Sequence, residues 1–209
     1  MKKIINKLIA IYRYGDVAFY ISLLGPLIMG TIHLIFVILR FDWIVLNYCI
    51  FSYLMMLFKV WQWAIEKYHI KPNHYVAGII SILVVLAPMM ASFILTIMYK
   101  DAPHYLFEWL VYAYALYGTI KMVFAVKGLI KKNKTDRQYV LSYLGLIGAL
   151  YTVQMMEFRL IMFTSNGVVD ESMNMMQLFT QGFIFVFSLF IAGLFIYKNL
   201  KYKTVFNKK

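Results

Sequence analysis

Long apolar runs separated by short polar gaps dominate the chain. Six of them, 17–39, 43–65, 75–98, 105–130, 139–163 and 175–198, reach the length of about 20 residues that a helix needs to cross roughly 30 Å of hydrocarbon. A segment in lipid has to satisfy its backbone polar groups internally, which predicts a helix for each run. The gaps carry residues that start helices: Asp42 before the second run, Asn73 before the third, and Asp101 with Pro103 before the fourth. Thr135 with Gln138 makes a capping-box pattern before the fifth run, and Asp170 precedes the sixth. No gap exceeds about ten residues, too few for a second, water-soluble domain. The predicted fold is all-α, a polytopic membrane protein whose six transmembrane helices occupy residues 17–200. A short basic amphipathic helix over 1–16 precedes them and a basic cytoplasmic tail over 201–209 follows.

Composition agrees with a lipid solvent. Of 209 residues, 63% are hydrophobic and 14% charged, against about 45–50% and 25% in soluble domains. The net charge of +12 does not point to nucleic acid, because the basic residues sit in gaps between apolar runs and no basic stripe interleaves with exposed aromatics. Sixteen of the 21 Lys and Arg fall in the N-terminal segment, the second and fourth gaps and the tail. The opposite face has three, Arg40, Lys100 and Arg159. Positive loops stay in the cytoplasm, so both termini are expected there. The sequon Asn133-Lys134-Thr135 lies in a cytoplasmic gap and supplies a check, since its glycosylation would reverse that orientation. Residues 2–14 set Lys2, Lys3, Lys7 and Arg13 on one helical face and Ile4, Ile5, Leu8 and Ile9 on another, as in a helix lying on an anionic leaflet or docking on a cytoplasmic partner. Met1-Lys2-Lys3 opens like a signal peptide, but Arg13 and Asp16 interrupt the following run and no cleavage site appears. Lone Cys49 excludes an intrachain disulfide or a cysteine metal cluster. The excess of Lys over Arg and the heavy use of Ile, Met, Tyr and Phe fit an AT-rich bacterial genome, and the expected location is a bacterial cytoplasmic membrane.

Small and polar residues recur at helical spacing: Gly78, Ser81, Pro88, Ser92 and Thr96 in the third run, Ser142, Gly145, Ala149 and Thr152 in the fifth, Gln177, Gln181, Ser188 and Asn199 in the sixth. Such stripes let helices approach and bond across the contact. Gly25, Pro26, Gly30 and Pro88 interrupt their helices, which is tolerated where a neighbour or a cavity satisfies the freed backbone groups. His33, Glu157 and Gln181 each lie about six residues from the outer end of their helix, roughly 9 Å deep. A carboxylate at that depth has to face the bundle interior, a partner or water. These three define a candidate pocket open to the outside, with Gln154 on the Glu157 face and Gln177, Glu108 and His104 at its rim. An ion pair or hydrogen bond from Glu157 to Arg159, Arg40 or His33 is the structural alternative. Toward the cytoplasm, Lys59 shares a face with Gln62 and Glu66, and Lys121 shares one with Tyr114 and Tyr117. Lys59, Tyr114, Tyr117 and Lys121 are candidates for a cytoplasmic gate, with lysine snorkelling and aromatic packing as the plainer reading.

No HExxH, GxSxG, CxxC, potassium-filter or glycine-rich phosphate motif occurs, and His33, His69, His74 and His104 divide between opposite faces. No catalytic residue, metal or cofactor is therefore assigned. The expected function is a small-solute or ion transporter or channel-like subunit with an outward-facing polar pocket. A sensor or anchor subunit acting through a partner protein is the first alternative, and an intramembrane enzyme using Glu157 and His33 as an acid-base pair is the second. Expected partners are the bilayer and either a second copy of the chain or a membrane or cytoplasmic protein, with no nucleic acid.

Overall fold

The structure, a computed structural model, describes residues 16–39, 41–70, 73–98, 108–131, 134–164 and 171–206. Within these, side chains are described except at 16–18, 108–111, 113, 114, 157–164, 171, 173, 174 and 201–206. Six helices follow one another: α1 Asp16–Leu39, α2 Trp43–Tyr68, α3 His74–Met98, α4 Glu108–Ile130, α5 Asp136–Thr164 and α6 Glu171–Phe206. There is no strand among the described residues. Each helix overlays one apolar run. The N-terminal amphipathic segment, apart from Asp16, lies outside the described residues.

Capping chemistry sets several boundaries. Asp42 Oδ1 accepts from the backbone N–H of Ile44 at 2.7 Å and of Val45 at 3.3 Å. Asn73 Oδ1 accepts from Val76 N–H at 3.0 Å, and Thr135 Oγ1 from Gln138 N–H at 3.3 Å. These bonds satisfy donors that the first turn of a helix leaves unpaired. α2 ends at His69 in the left-handed region, φ 50° and ψ 40°, where glycine is the usual residue. α6 runs past position 198, the predicted end of the sixth run, to Phe206. No Gly or Pro follows Gly193 in it to end the helix sooner.

Helix α5 occupies the centre, against α2, α3, α4 and α6. α3 also meets α2 and α6, whereas among the described residues the backbone of α1 packs closely on α2 only and that of α4 on α5 only, with Tyr117 reaching from α4 to α1. The core between them includes Tyr151, Phe195, Ile82, Met89, Leu144 and Ile147, all buried. At the α3–α5–α6 junction a Cβ on Gly78 would stand 2.6 Å from Val140 Cγ1 and 3.0 Å from Phe195 Cζ, so only glycine permits this approach. The outer surface is apolar, with Ile38, Leu39, Leu116, Phe124, Phe179, Phe183 and Val186 exposed. Five helices, α1, α2, α3, α5 and α6, contain stretches long and apolar enough to cross a membrane. For α4, whose side chains are described only at Tyr112 and from Ala115 on, the sixth crossing stays an expectation.

Candidate functional site

Polar groups inside the bundle form three separate sets. The first joins α2, α3 and α5. Asn47 Nδ2 lies 2.8 Å from each of the Pro88 carbonyl, Ser92 Oγ and the Tyr151 hydroxyl, and those two hydroxyls are 2.8 Å apart. The ring of Tyr151 is held by Phe51 and Tyr48, with centroids 4.0 Å and 4.9 Å away. One turn further along α3, Thr96 Oγ1 lies 2.9 Å from the Ser92 carbonyl and 3.0 Å from the Gln181 amide, which lies 3.1 Å from the Gln154 amide. The Thr96 hydroxyl has one proton to offer the Ser92 carbonyl or Gln181 Oε1, and Gln154 Nε2 donates to the same Gln181 oxygen. Oε1 of fully buried Gln154 is left without a partner, as is Gln177 Nε2 nearby in sequence.

The second set lines the cleft between α1 and α4. Pro26 has no N–H, so the Ser22 carbonyl four residues earlier loses its helical partner. Lys59 Nζ of α2 donates to that carbonyl at 2.6 Å. Opposite, Lys121 Nζ donates to the Gly148 carbonyl at 2.9 Å and to Thr152 Oγ1 at 3.0 Å, and stands 5.7 Å and 5.6 Å from the ring centroids of Phe51 and Tyr117. A Cβ on Gly148 would stand 2.8 Å from the Met55 methyl and 3.5 Å from Lys121 Nζ, so it is Met55 that the glycine accommodates. His33 Nδ1 is 2.6 Å from the Met29 carbonyl, an acceptor, so that nitrogen carries a proton. His33, Tyr48, Ser52, Tyr117, Lys121 and Tyr151 are among the walls of one cavity of about 20 Å³, room for a water molecule and not for a solute. Tyr117 spans the cleft, its hydroxyl 3.2 Å from where a Cβ on Gly25 would lie.

The third set gathers the Lys-rich helix ends. His74 Nδ1 donates to Gln62 Oε1 at 2.7 Å, Tyr75 donates its hydroxyl proton to Asp136 Oδ1 at 2.7 Å, and Arg137 pairs with Glu66. Lys134 Nζ donates to the Leu129 carbonyl at 2.7 Å, and Lys198 Nζ to the Tyr143 hydroxyl at 3.3 Å. Desolvation, opposed by Tyr143 and reinforced by Lys198 and Lys131, pulls the Lys134 ammonium below the usual lysine value. A cavity of about 330 Å³ opens here between Tyr75, Lys131, Lys134, Asp136, Tyr139 and Asn199.

The structure thus distributes the predicted residues differently from the sequence pattern. Gln154 and Gln181 bond to each other, and Gln177 is buried one turn from Gln181. His33, placed at the same depth, faces the α1–α4 cavity instead, together with the gate candidates Tyr117 and Lys121. Lys59, Gln62 and Glu66 of one helix face each serve a different partner. The side chains of Glu157, Glu108, Tyr114 and Arg159, and the whole of His104 and Arg40, lie outside the described residues. Asn47 and Tyr151 were not among the sequence candidates. An amide in the middle of an apolar run was the available signal for Asn47. No group of three or more metal-ligating side chains occurs among the described residues. No family model, curated protein or solved structure matches the chain.

Proposed function

We propose that the chain crosses the bacterial cytoplasmic membrane six times, with both termini in the cytoplasm, and moves a small solute or ion along the cleft between α1 and α4. One observation carries the reading. The Lys121 ammonium sits inside the helix bundle, bonded to a backbone carbonyl and a hydroxyl, on the wall of a cavity shared with His33 and Tyr117. Burying a charge among helices is costly, and such groups mark ion and substrate pathways more often than plain packing sites. The 20 Å³ cavity represents a closed state. Passage requires α1 and α4 to part, and α1 has Gly25, Pro26 and Gly30 in the facing stretch. Glu157, Gln177 and Glu108 are assigned to the outward approach.

The test uses proteoliposomes loaded with pH-sensitive and voltage-sensitive dyes. Lys121→Met and Glu157→Gln are expected to abolish the flux seen with the unsubstituted chain while leaving its elution profile in detergent unchanged. Flux equal to empty liposomes, or equal in all three proteins, removes the reading. Glycosylation of Asn133 in a eukaryotic host removes the orientation alone.

A further inference from the structure

The 330 Å³ cavity at the Lys-rich end has no part in the pathway proposed above. Its size places it at the lower end of the roughly 300–1,000 Å³ typical of small-ligand pockets. Three helix ends and the body of α6 build it. Tyr75 comes from the start of α3, Lys131 from just past α4, Lys134 and Asp136 from the turn into α5, and Asn199 from α6. Two ammonium groups against one carboxylate leave the lining with a net positive charge, and Asp136 is already engaged by the Tyr75 hydroxyl. Lys198, adjacent to Asn199 on α6, adds a third ammonium close enough to act on Lys134.

Asn199 decides what the cavity is for. It is 8% exposed, lines the cavity, and its Nδ2 has no hydrogen-bond partner. A buried amide left unpaired destabilises the fold, a cost that a bound acceptor removes. Lys134 uses one of its three protons on the Leu129 carbonyl and keeps two. Asn199, Lys131 and Lys134 line one space, and the unspent donors they bring to it are an amide and lysine ammoniums. An acceptor-only anion with several oxygens satisfies all of them, which a single carboxylate does less completely.

We propose that this cavity binds a phosphate ester, with the phosphate held by Lys131, Lys134 and the Asn199 amide and the organic body filling the remaining volume. The ester comes either from a soluble organic phosphate or from the headgroup of an anionic phospholipid in the adjoining leaflet. Only the cytoplasmic placement of the site rests on the orientation proposed above. The test involves no flux and no residue of the α1–α4 cleft, so the two readings fail independently.

Glycerol 3-phosphate serves as the soluble probe for the full-length chain in nonionic detergent, with sodium chloride at equal ionic strength as control. For the lipid source, native mass spectrometry is run on the chain released from phosphatidylcholine nanodiscs containing a minor fraction of phosphatidylglycerol. Glycerol 3-phosphate is expected to raise the Tm, or one phosphatidylglycerol to remain bound, and whichever occurs identifies the source. Lys131→Gln combined with Lys134→Gln is expected to weaken that binding at least tenfold. Asn199→Leu, near in volume, is expected to keep or raise the ligand-free Tm, since it removes an unpaired amide, and to lose the ligand response. Neither probe binding above its control, or both variants binding as the unsubstituted chain does, overturns the proposal.

Discussion

The α2–α3–α5 core and the α1–α4 cleft are built from the same apolar residue types, yet they are held together in different ways. In the core, side chain bonds to side chain across helices, Asn47 to Ser92 and Tyr151 and, toward α6, Gln154 to Gln181, with the Pro88 carbonyl as a further acceptor. In the cleft, His33, Lys59 and Lys121 each bond to a backbone carbonyl, that of Met29, Ser22 and Gly148. Burial follows the same division. The most apolar stretch of α5 is 61% buried and that of α1 only 17%. Helices in lipid gain little from hiding apolar surface against one another, so packing and interhelical hydrogen bonds decide which contacts are fixed. The core has both. In the cleft most acceptors are backbone carbonyls, with the Thr152 hydroxyl the side-chain exception, and these bonds tie α1 to α2 and α4 to α5 rather than α1 to α4.

The largest effect that would separate the two regions is a cavity in the core. Tyr151→Ala removes a ring that is 1% exposed and is expected to cost about 3–5 kcal/mol. Tyr117→Ala, on the half-buried cleft side, is expected to cost less than half of that, both read as unfolding midpoints in mixed micelles. Equal losses would erase the distinction. Next in size is a pair of glycines. Gly78→Ala forces Val140 and Phe195 apart and is expected to destabilise by about 1–3 kcal/mol. Gly25→Ala meets only the movable end of Tyr117 and is expected to be neutral or slightly stabilising, because alanine favours the helix. A matching loss at Gly25 would show that the cleft is as tightly fitted as the core. The smallest effect lies outside both regions and calibrates the scale: His69→Gly relieves a left-handed residue at the end of α2 and should raise stability by about 0.5 kcal/mol.

Much of this arrangement was legible in the residue pattern. Asp42, Asn73 and Thr135 announced their helix starts because capping is a local matter of a side-chain oxygen and an N–H two or three residues on. The stripe of Ser81, Ser92, Thr96, Gln177, Gln181 and Ser188 is buried, as its spacing implied. Periodicity says which residues share a face and not which neighbour that face meets. His33, Glu157 and Gln181 were grouped by depth alone, and depth is one coordinate of three. The Asn47–Tyr151 contact joins residues 104 apart, and Tyr151 is one of 17 tyrosines, so nothing local distinguishes it. The cavity beside Asn199 arises where three helix ends meet the side of α6, and no single segment records that meeting.

Pro26 leaves a helix one hydrogen bond short, and a lysine from the next helix makes up the deficit at the Ser22 carbonyl. If α1 leaves α2, that carbonyl is stranded in hydrocarbon, at several kcal/mol, unless a water molecule arrives to replace the ammonium. Any separation of these two helices is thereby tied to hydration, since only water can take the place of the ammonium at that carbonyl.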